Sequence, residues 1–434
     1  MSIRRIKRNI RDFLERVAQS EALHDAVDGA ISPAIQDWTV LWFKRLTSPY
    51  MGVAAVTLGV FWWLYLQFPG NPDFSSLKVP EVFRIYSEIW AKLQSGENPY
   101  VLSGYATFNF SPAFLSFIRV LPNSPQDAYF WFSLLSIALF SVSLYSGARY
   151  RSWKDVGLLL AGLALAWRGV LEALQYGQVE LILFFILITA SSLFSRWPFF
   201  TGSLLGILPW IKAPYGFLMI PFILAANRRE VFGDPRPTLP RLKLLFSGIL
   251  FSSVFWGAAI PSLTFGPDRA LELSIAWGKM MKVQPSQFFL VGTNQSLWVA
   301  MERWFNLNSA AEFGVGAILG GWLLGVLLMR RPASPAAQDS FIWITPWLIL
   351  TQLLNPLSWR WGSLFVVGAC FSAFRPSRPR LGFFRVILWI GIIVLFLLQQ
   401  NFIVQPFFNL PTWTDLNDLG TVTLYWLLLF VVTL

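Results

Sequence analysis

The chain has 434 residues, 55% hydrophobic and only 13% charged, with a mean hydropathy of +0.54. A soluble domain carries about 25% charge, so a protein dissolved in water is excluded and a membrane protein is expected. Its net charge of +11 sits in short Lys/Arg segments beside apolar runs, which is the positive-inside pattern rather than a nucleic-acid footprint.

One Cys (Cys370) and one His (His24) exclude an intrachain disulfide and leave no thiol or imidazole metal site. No metal and no cofactor are expected. The 22 Trp and 40 Phe suit a chain anchored at membrane interfaces.

Residues 1–46 place Ile3, Ile6, Ile10, Phe13, Leu14 and Val17 at helical spacing, with Arg4, Arg5, Lys7, Arg8 and Arg11 on the remaining face. This predicts a cytoplasmic amphipathic helix on the anionic inner leaflet, with a short disordered tail as the alternative. The first apolar run begins near Met51, so no secretory signal peptide is expected.

From there residues 47–434 read as one all-α polytopic domain. The run 51–68 leads outward, and 69–127 forms an external region holding a helix over 80–95 and a short apolar segment over 112–121. The run 128–146 returns to Arg149, Arg151 and Lys154. Runs 156–174 and 179–194 form a hairpin with its tip, Gln175 to Gln178, outside.

Residues 199–225 are flanked by cytoplasmic Arg196 and Arg228 and are interrupted at Pro209, Lys212 and Pro214. Each half is about a dozen residues, or about 18 Å, short of a ~30 Å hydrocarbon core. This predicts a broken or re-entrant helix pair with Lys212 at its apex. Then 244–262 leads out to a second external region, 263–310, and 311–329 returns to Arg330. The run 341–354 leads to a tight turn, Asn355 to Trp361, and 362–374 comes back to Arg375. Finally, 386–400 and 419–434 flank an outer loop. The expectation is roughly twelve membrane segments, with the N-terminus cytoplasmic.

On this topology six polar clusters fall on one face. They are Asp73, GENPY (96–100), YGQ (176–178), WIKAP (210–214), TNQSL (293–297) and NPLSWR (355–360). Polar groups beside apolar helix ends are costly, which makes these the candidate site. Asp73 suits a general base, with Glu81, Glu88 and Glu97 as rivals that face water. Lys212 needs a partner, either a lipid phosphate or a structural pair with Glu172 or Glu180. Arg168 either joins the site or snorkels to the interface. Arg360 binds phosphate or marks the membrane boundary. An external enzyme has no nucleotide sugars, so it must draw on an energised lipid such as a polyprenyl phosphate-sugar.

The ordered motifs resemble the polyprenyl-phosphate-sugar-dependent glycosyltransferases of the C-type (GT-C) superfamily. They resemble especially the polyprenol-phosphate-mannose mannosyltransferases of glycosyltransferase family 87. The likeness runs through GENPY, FNFSPAF (108–114), LQYGQVELIL (174–183), GSLLGILPWIKAPYGFLMIPF (202–222), GTNQSLWVAMERW (292–304) and NPLSWRWG (355–362).

The resemblance implies a helical bundle of 10–12 transmembrane helices around an external, periplasmic cavity in the cell membrane. It also implies a catalytic Asp in the first loop, shortly before a Tyr. Tyr86 fits that Tyr, but Val82 stands four residues before it, so Asp73 and Glu81 are the nearest carboxylates. Arg360 follows Ser358-Trp359 where many relatives carry His, implying a different acceptor or lost activity.

The expected function is inverting transfer of a sugar, mannose first, from a polyprenyl phosphate-sugar to an external glycan, lipid or protein hydroxyl. Asp73 or Glu81 serves as base, and Lys212 with Arg360 holds the phosphate. Gln178, Asn294, Gln295, Tyr100, Tyr86 and Trp359 form the substrate site. A lipid-sugar flippase or an inactive scaffold are the alternatives.

Overall fold

The computed structural model describes residues 48–67, 79–100, 110–226, 238–288, 296–305, 309–329, 340–355, 360–374, 382–398 and 421–433. The chain forms two compact units, Met1–Gly52 and Val53–Leu434. The basic segment expected over 1–46 lies outside the described residues.

In chain order the helices begin with α1 (Pro49–Gln67), α2 (Glu81–Gln94), α3 (Pro112–Ile118), α4 (Pro125–Ser146), α5 (Trp153–Gln175) and α6 (Glu180–Leu193). Next come α7 (Pro198–Ile211), a 3-10 turn at Ala213–Leu218, α8 (Met219–Ala226) and α9 (Thr238–Val254). A π-helical turn, Phe255–Ala259, joins α9 to α10 (Ile260–Phe265). The rest are α11 (Pro267–Phe288), α12 (Leu297–Phe305), α13 (Ser309–Met329), α14 (Ser340–Leu354), a 3-10 segment Arg360–Gly368, α15 (Ala369–Phe374), α16 (Gly382–Leu398) and α17 (Thr421–Thr433). The protein is all-α: no strand occurs among the described residues.

Among the described residues, three helices are long and apolar enough to cross a membrane: α4, α5 and the continuous run Pro240–Phe265. Their 22, 23 and 26 residues reach about 33 to 39 Å, past a ~30 Å hydrocarbon core. The other expected segments that the structure describes include many apolar helices of 10–17 residues. One has a compensating feature. The return expected over 362–374 starts as nine residues of 3-10 helix and ends as six of α-helix, which together reach about 27 Å because a 3-10 helix rises faster.

Within the second external region expected over 263–310, the structure adds detail. Residues Pro267–Phe288 and Leu297–Phe305 are helical. Arg269, Glu272, Lys279 and Lys282 share one side of the first of these, opposite Ala270, Leu273, Trp277 and Met280, so it is an amphipathic helix rather than an apolar run.

Close packing rests on small residues, as it does between helices that share an apolar solvent. Gly202 and Gly206, one turn apart on α7, face α9, and a Cβ at either would strike the Leu245 or Ile249 carbonyl oxygen. Gly162 and Gly169 of α5 likewise admit the backbone of the 3-10 segment at Val367 and Leu364. Helix α14 is buried on every side from Ser340 to Leu353, the mark of a central helix. Amphipathic α2 lays Phe83 and Tyr86 inward, with Phe83 5.2 Å from Tyr129 of α4 between ring centroids.

Candidate functional site

Helix α5 ends in a Schellman cap. The Gly177 amide donates to the Leu174 carbonyl at 3.0 Å and the Gln178 amide to the Ala173 carbonyl at 2.7 Å, which satisfies carbonyls the helix leaves open. Gly177 has φ +61°, a left-handed conformation that glycine adopts without strain. A Cβ there would also run into the Phe83 ring. The YGQ tip is therefore a tight turn seated against α2. The Gln178 side chain turns back to the Tyr176 carbonyl at 3.3 Å.

Two residues past Gln178, α6 opens with a fully buried carboxylate, Glu180. Its partner comes from the break between α7 and α8. Lys212 is the single residue between α7 and the 3-10 turn, extended at φ −153°, ψ 107°. Pro214 two positions later has no N–H to continue the α-helical ladder.

The chain then folds back. Gly216 lies beside Pro209, and Phe222 packs edge-on to Phe194 at 5.4 Å, just before α7 begins. This is the broken helix pair expected from the sequence. At its apex Lys212 Nζ meets Glu180 Oε1 at 2.5 Å, with side-chain exposures of 12% and 1%. Of the two readings for Lys212, the structure shows the pair with Glu180.

The pair has polar neighbours. Gln352 Nε2 of α14 donates to the Tyr215 hydroxyl at 3.1 Å, and Tyr215 lies close enough to Glu180 to feel its charge. The ammonium offsets the burial of one carboxylate oxygen of Glu180, and the Gln352 amide holds the neighbouring Tyr215 hydroxyl. Gly362, at the NPLSWR segment, leaves room for the Gln352 amide; a Cβ there would strike its oxygen. Tyr86 of α2 feels the Glu180 charge. Burial first and that charge second push its phenol well above the usual range.

Other clusters join the same end of the bundle by capping its helix ends. Ser111 Oγ donates to the Trp210 carbonyl in the last turn of α7. Trp298 Nε1 donates to the Leu354 carbonyl, which closes α14, at 2.9 Å. Tyr100 Oη donates to the Phe110 carbonyl at 3.1 Å, tying GENPY to the segment that carries Ser111. Burial raises the Tyr100 phenol as well.

Of the candidate residues, Lys212 and Tyr86 are brought together around Glu180. Gln178 lies on the adjoining tip, and Tyr100 is linked to the break through Phe110 and Ser111. Asp73, Asn294, Gln295 and Trp359 lie outside the described residues, as do the side chains of Glu81 and Arg360. Glu88 and Glu97 are exposed, as expected. Arg168 pairs with Glu172 one turn away at 2.9 Å.

Sequence reasoning missed Tyr215 and Gln352. Gln352 carried a usable signal, an uncharged amide inside an otherwise apolar run. Tyr215 carried none beyond its position next to Pro214.

No family model matches the chain, and no significant match was found among curated proteins or solved structures.

Proposed function

We propose that the protein is a membrane glycosyltransferase of the C-type superfamily that takes a sugar, mannose in the first instance, from a polyprenyl phosphate donor. The supporting observation is the buried lysine at the apex of an interrupted helix pair, fixed by a carboxylate beside a hydrogen-bonded tyrosine and glutamine. Interrupted backbone among apolar helices persists where protein or a watery cavity surrounds it. An ammonium placed there is a natural phosphate site.

In the proposed reaction Asp73 takes the proton of the acceptor hydroxyl, with Glu81 as the alternative base. The acceptor oxygen bonds to the anomeric carbon from the face opposite the phosphate. The bond from that carbon to the phosphate oxygen breaks, and polyprenyl phosphate leaves with its charge steadied by Lys212 and Arg360. Glu180 is a positioning residue that holds the Lys212 ammonium. Gln178, Asn294 and Gln295 hold sugar hydroxyls, while Tyr86, Tyr100 and Trp359 line the donor and acceptor path. On this reading the site faces outside the cell membrane, opposite the basic loops, and no metal takes part.

The test is purified full-length protein in detergent with radiolabelled polyprenyl-phosphate-mannose and a panel of glycan, lipid and peptide acceptors. Transfer lost in Asp73→Asn supports the scheme. Transfer that survives Asp73→Asn but fails in Glu81→Gln moves the base. Absence of transfer from every polyprenyl phosphate-sugar overturns the reaction. That result favours a lipid-sugar flippase, since an interrupted helix with a buried ion pair also suits a translocation path.

A further inference from the structure

Away from the Lys212 cluster, a cavity of about 430 Å³ opens between the end of α2, the residue after α3 and the start of α11. Trp90, Gln94, Arg119, Thr264, Phe265 and Arg269 form most of its wall. Two guanidinium groups in one cavity is an arrangement that calls for an anion.

Their bonding separates their roles. Arg269 is committed to the frame: Nη2 donates to the Gly96 and Glu97 carbonyls at 2.8 and 2.5 Å, and Nη1 pairs with Glu272 at 2.6 Å. Arg119 donates Nη1 to the Thr264 carbonyl at 2.6 Å, and its guanidinium carbon stands 5.9 Å from the Trp90 ring centroid. A guanidinium has five N–H donors in a planar fork. Among the described residues Arg119 engages one of them in a hydrogen bond, and the rest of the fork is available to a ligand in the cavity.

The surroundings say where that ligand comes from. Thr264 and Phe265 are the last residues of the run Pro240–Phe265. Leu263 and Val120, neighbours of Thr264 and Arg119, are each 82% exposed. Apolar side chains so open beside the end of a membrane-crossing helix belong against acyl chains. The two guanidiniums then lie at the level of the lipid headgroups, where planar forks match phosphate oxygens.

We propose that this cavity binds the phosphate of an anionic membrane lipid, with Arg119 as its main contact, Arg269 as its second, and the rings of Trp90 and Phe265 against the lipid's glycerol and first methylenes. This assignment does not depend on the glycosyl-transfer reading.

The test uses the purified full chain in neutral detergent, titrated with phosphatidylglycerol and followed by native mass spectrometry and by thermal stability. Phosphatidylglycerol is expected to bind saturably and to raise the melting temperature, and phosphatidylcholine to do so far less. Inorganic phosphate and glycerol phosphate are expected to have no effect at the same concentrations.

Arg119→Gln is expected to weaken phosphatidylglycerol binding about tenfold, the loss of one charge-assisted contact. Gln94→Glu, which sets a carboxylate in the cavity wall with little change of shape, is expected to weaken it comparably. Arg84→Gln, on the same helix but outside the cavity, is expected to leave it unchanged. Undiminished binding in both cavity variants overturns the proposal, as does an equal loss in Arg84→Gln. Equal binding of phosphatidylcholine overturns the requirement for an anionic lipid. Saturable binding of soluble phosphate at this site overturns the lipid source.

Discussion

At the residue scale, the Lys212–Glu180 pair governs what the candidate site tolerates. Both side chains are almost fully buried, so removing one partner leaves an uncompensated charge among apolar helices. Such a loss costs on the order of 3–5 kcal/mol, whereas replacing both partners by apolar groups is often neutral. Glu180→Met alone and Lys212→Met alone are therefore expected to lower the melting temperature of the solubilised protein sharply, and the double variant to recover most of it. If the double variant regains stability yet transfers no sugar, Lys212 is more than a strut. Recovery of both stability and transfer would remove it from the site.

Tyr86 offers a second handle, because its phenol is held neutral by burial and by the charge of Glu180. The folded chain keeps this proton where the unfolded chain loses it, above a pH of about 10. Stability linked to Tyr86 is thus intact below that pH and declines above it. Melting curves from pH 8 to 11 are expected to show an alkaline decline that is shallower in Tyr86→Phe; parallel curves would mean that the phenol is open to solvent.

At the element scale, close approach of helices depends on residues that have no side chain. On α7, Gly202 faces the Leu245 carbonyl of α9, which cannot step aside. Gly202→Ala is expected to destabilise the protein by roughly 1–3 kcal/mol through overpacking. Gly278→Ala on α11, where an added Cβ meets nothing within 4 Å, is expected to stabilise it by roughly 0.5–1 kcal/mol. Thermal unfolding of the pair checks this, and a Gly202→Ala protein as stable as wild type would show that α7 and α9 are not in such close contact.

The same scale shows what the sequence could reveal. The break at Lys212 was legible because Pro209, Lys212 and Pro214 interrupt an apolar run too short to cross on either side. The helix α11 was less so: its charges gather on one side of the cylinder, but its low apolar content keeps it from standing out as an apolar run. That Gln352 reaches Tyr215 was hidden, because the contact spans 137 positions of sequence and is decided only when α14 packs as the central helix.

At the scale of the whole molecule, the remaining question is which way the bundle faces, and α5 can answer it. Its 23 residues reach about 35 Å, so its two ends must lie on opposite sides of a bilayer that it crosses. Lys154 at its start and Gln175 at its close are both exposed. The start lies beside Arg149 and Arg151, which the positive-inside rule assigns to the cytoplasm. The close lies at the tip that leads into Glu180 and Lys212.

The chain has one cysteine, Cys370, and it is buried, so the natural background for thiol labelling is low. In intact cells a membrane-impermeant maleimide is expected to label Gln175→Cys at once and Lys154→Cys only after permeabilisation. The reverse pattern would place the Lys212 cluster on the cytoplasmic side, where nucleotide sugars are present and the argument for a polyprenyl phosphate donor fails. Labelling of both from outside would mean that α5 does not cross the membrane, whatever its length and composition.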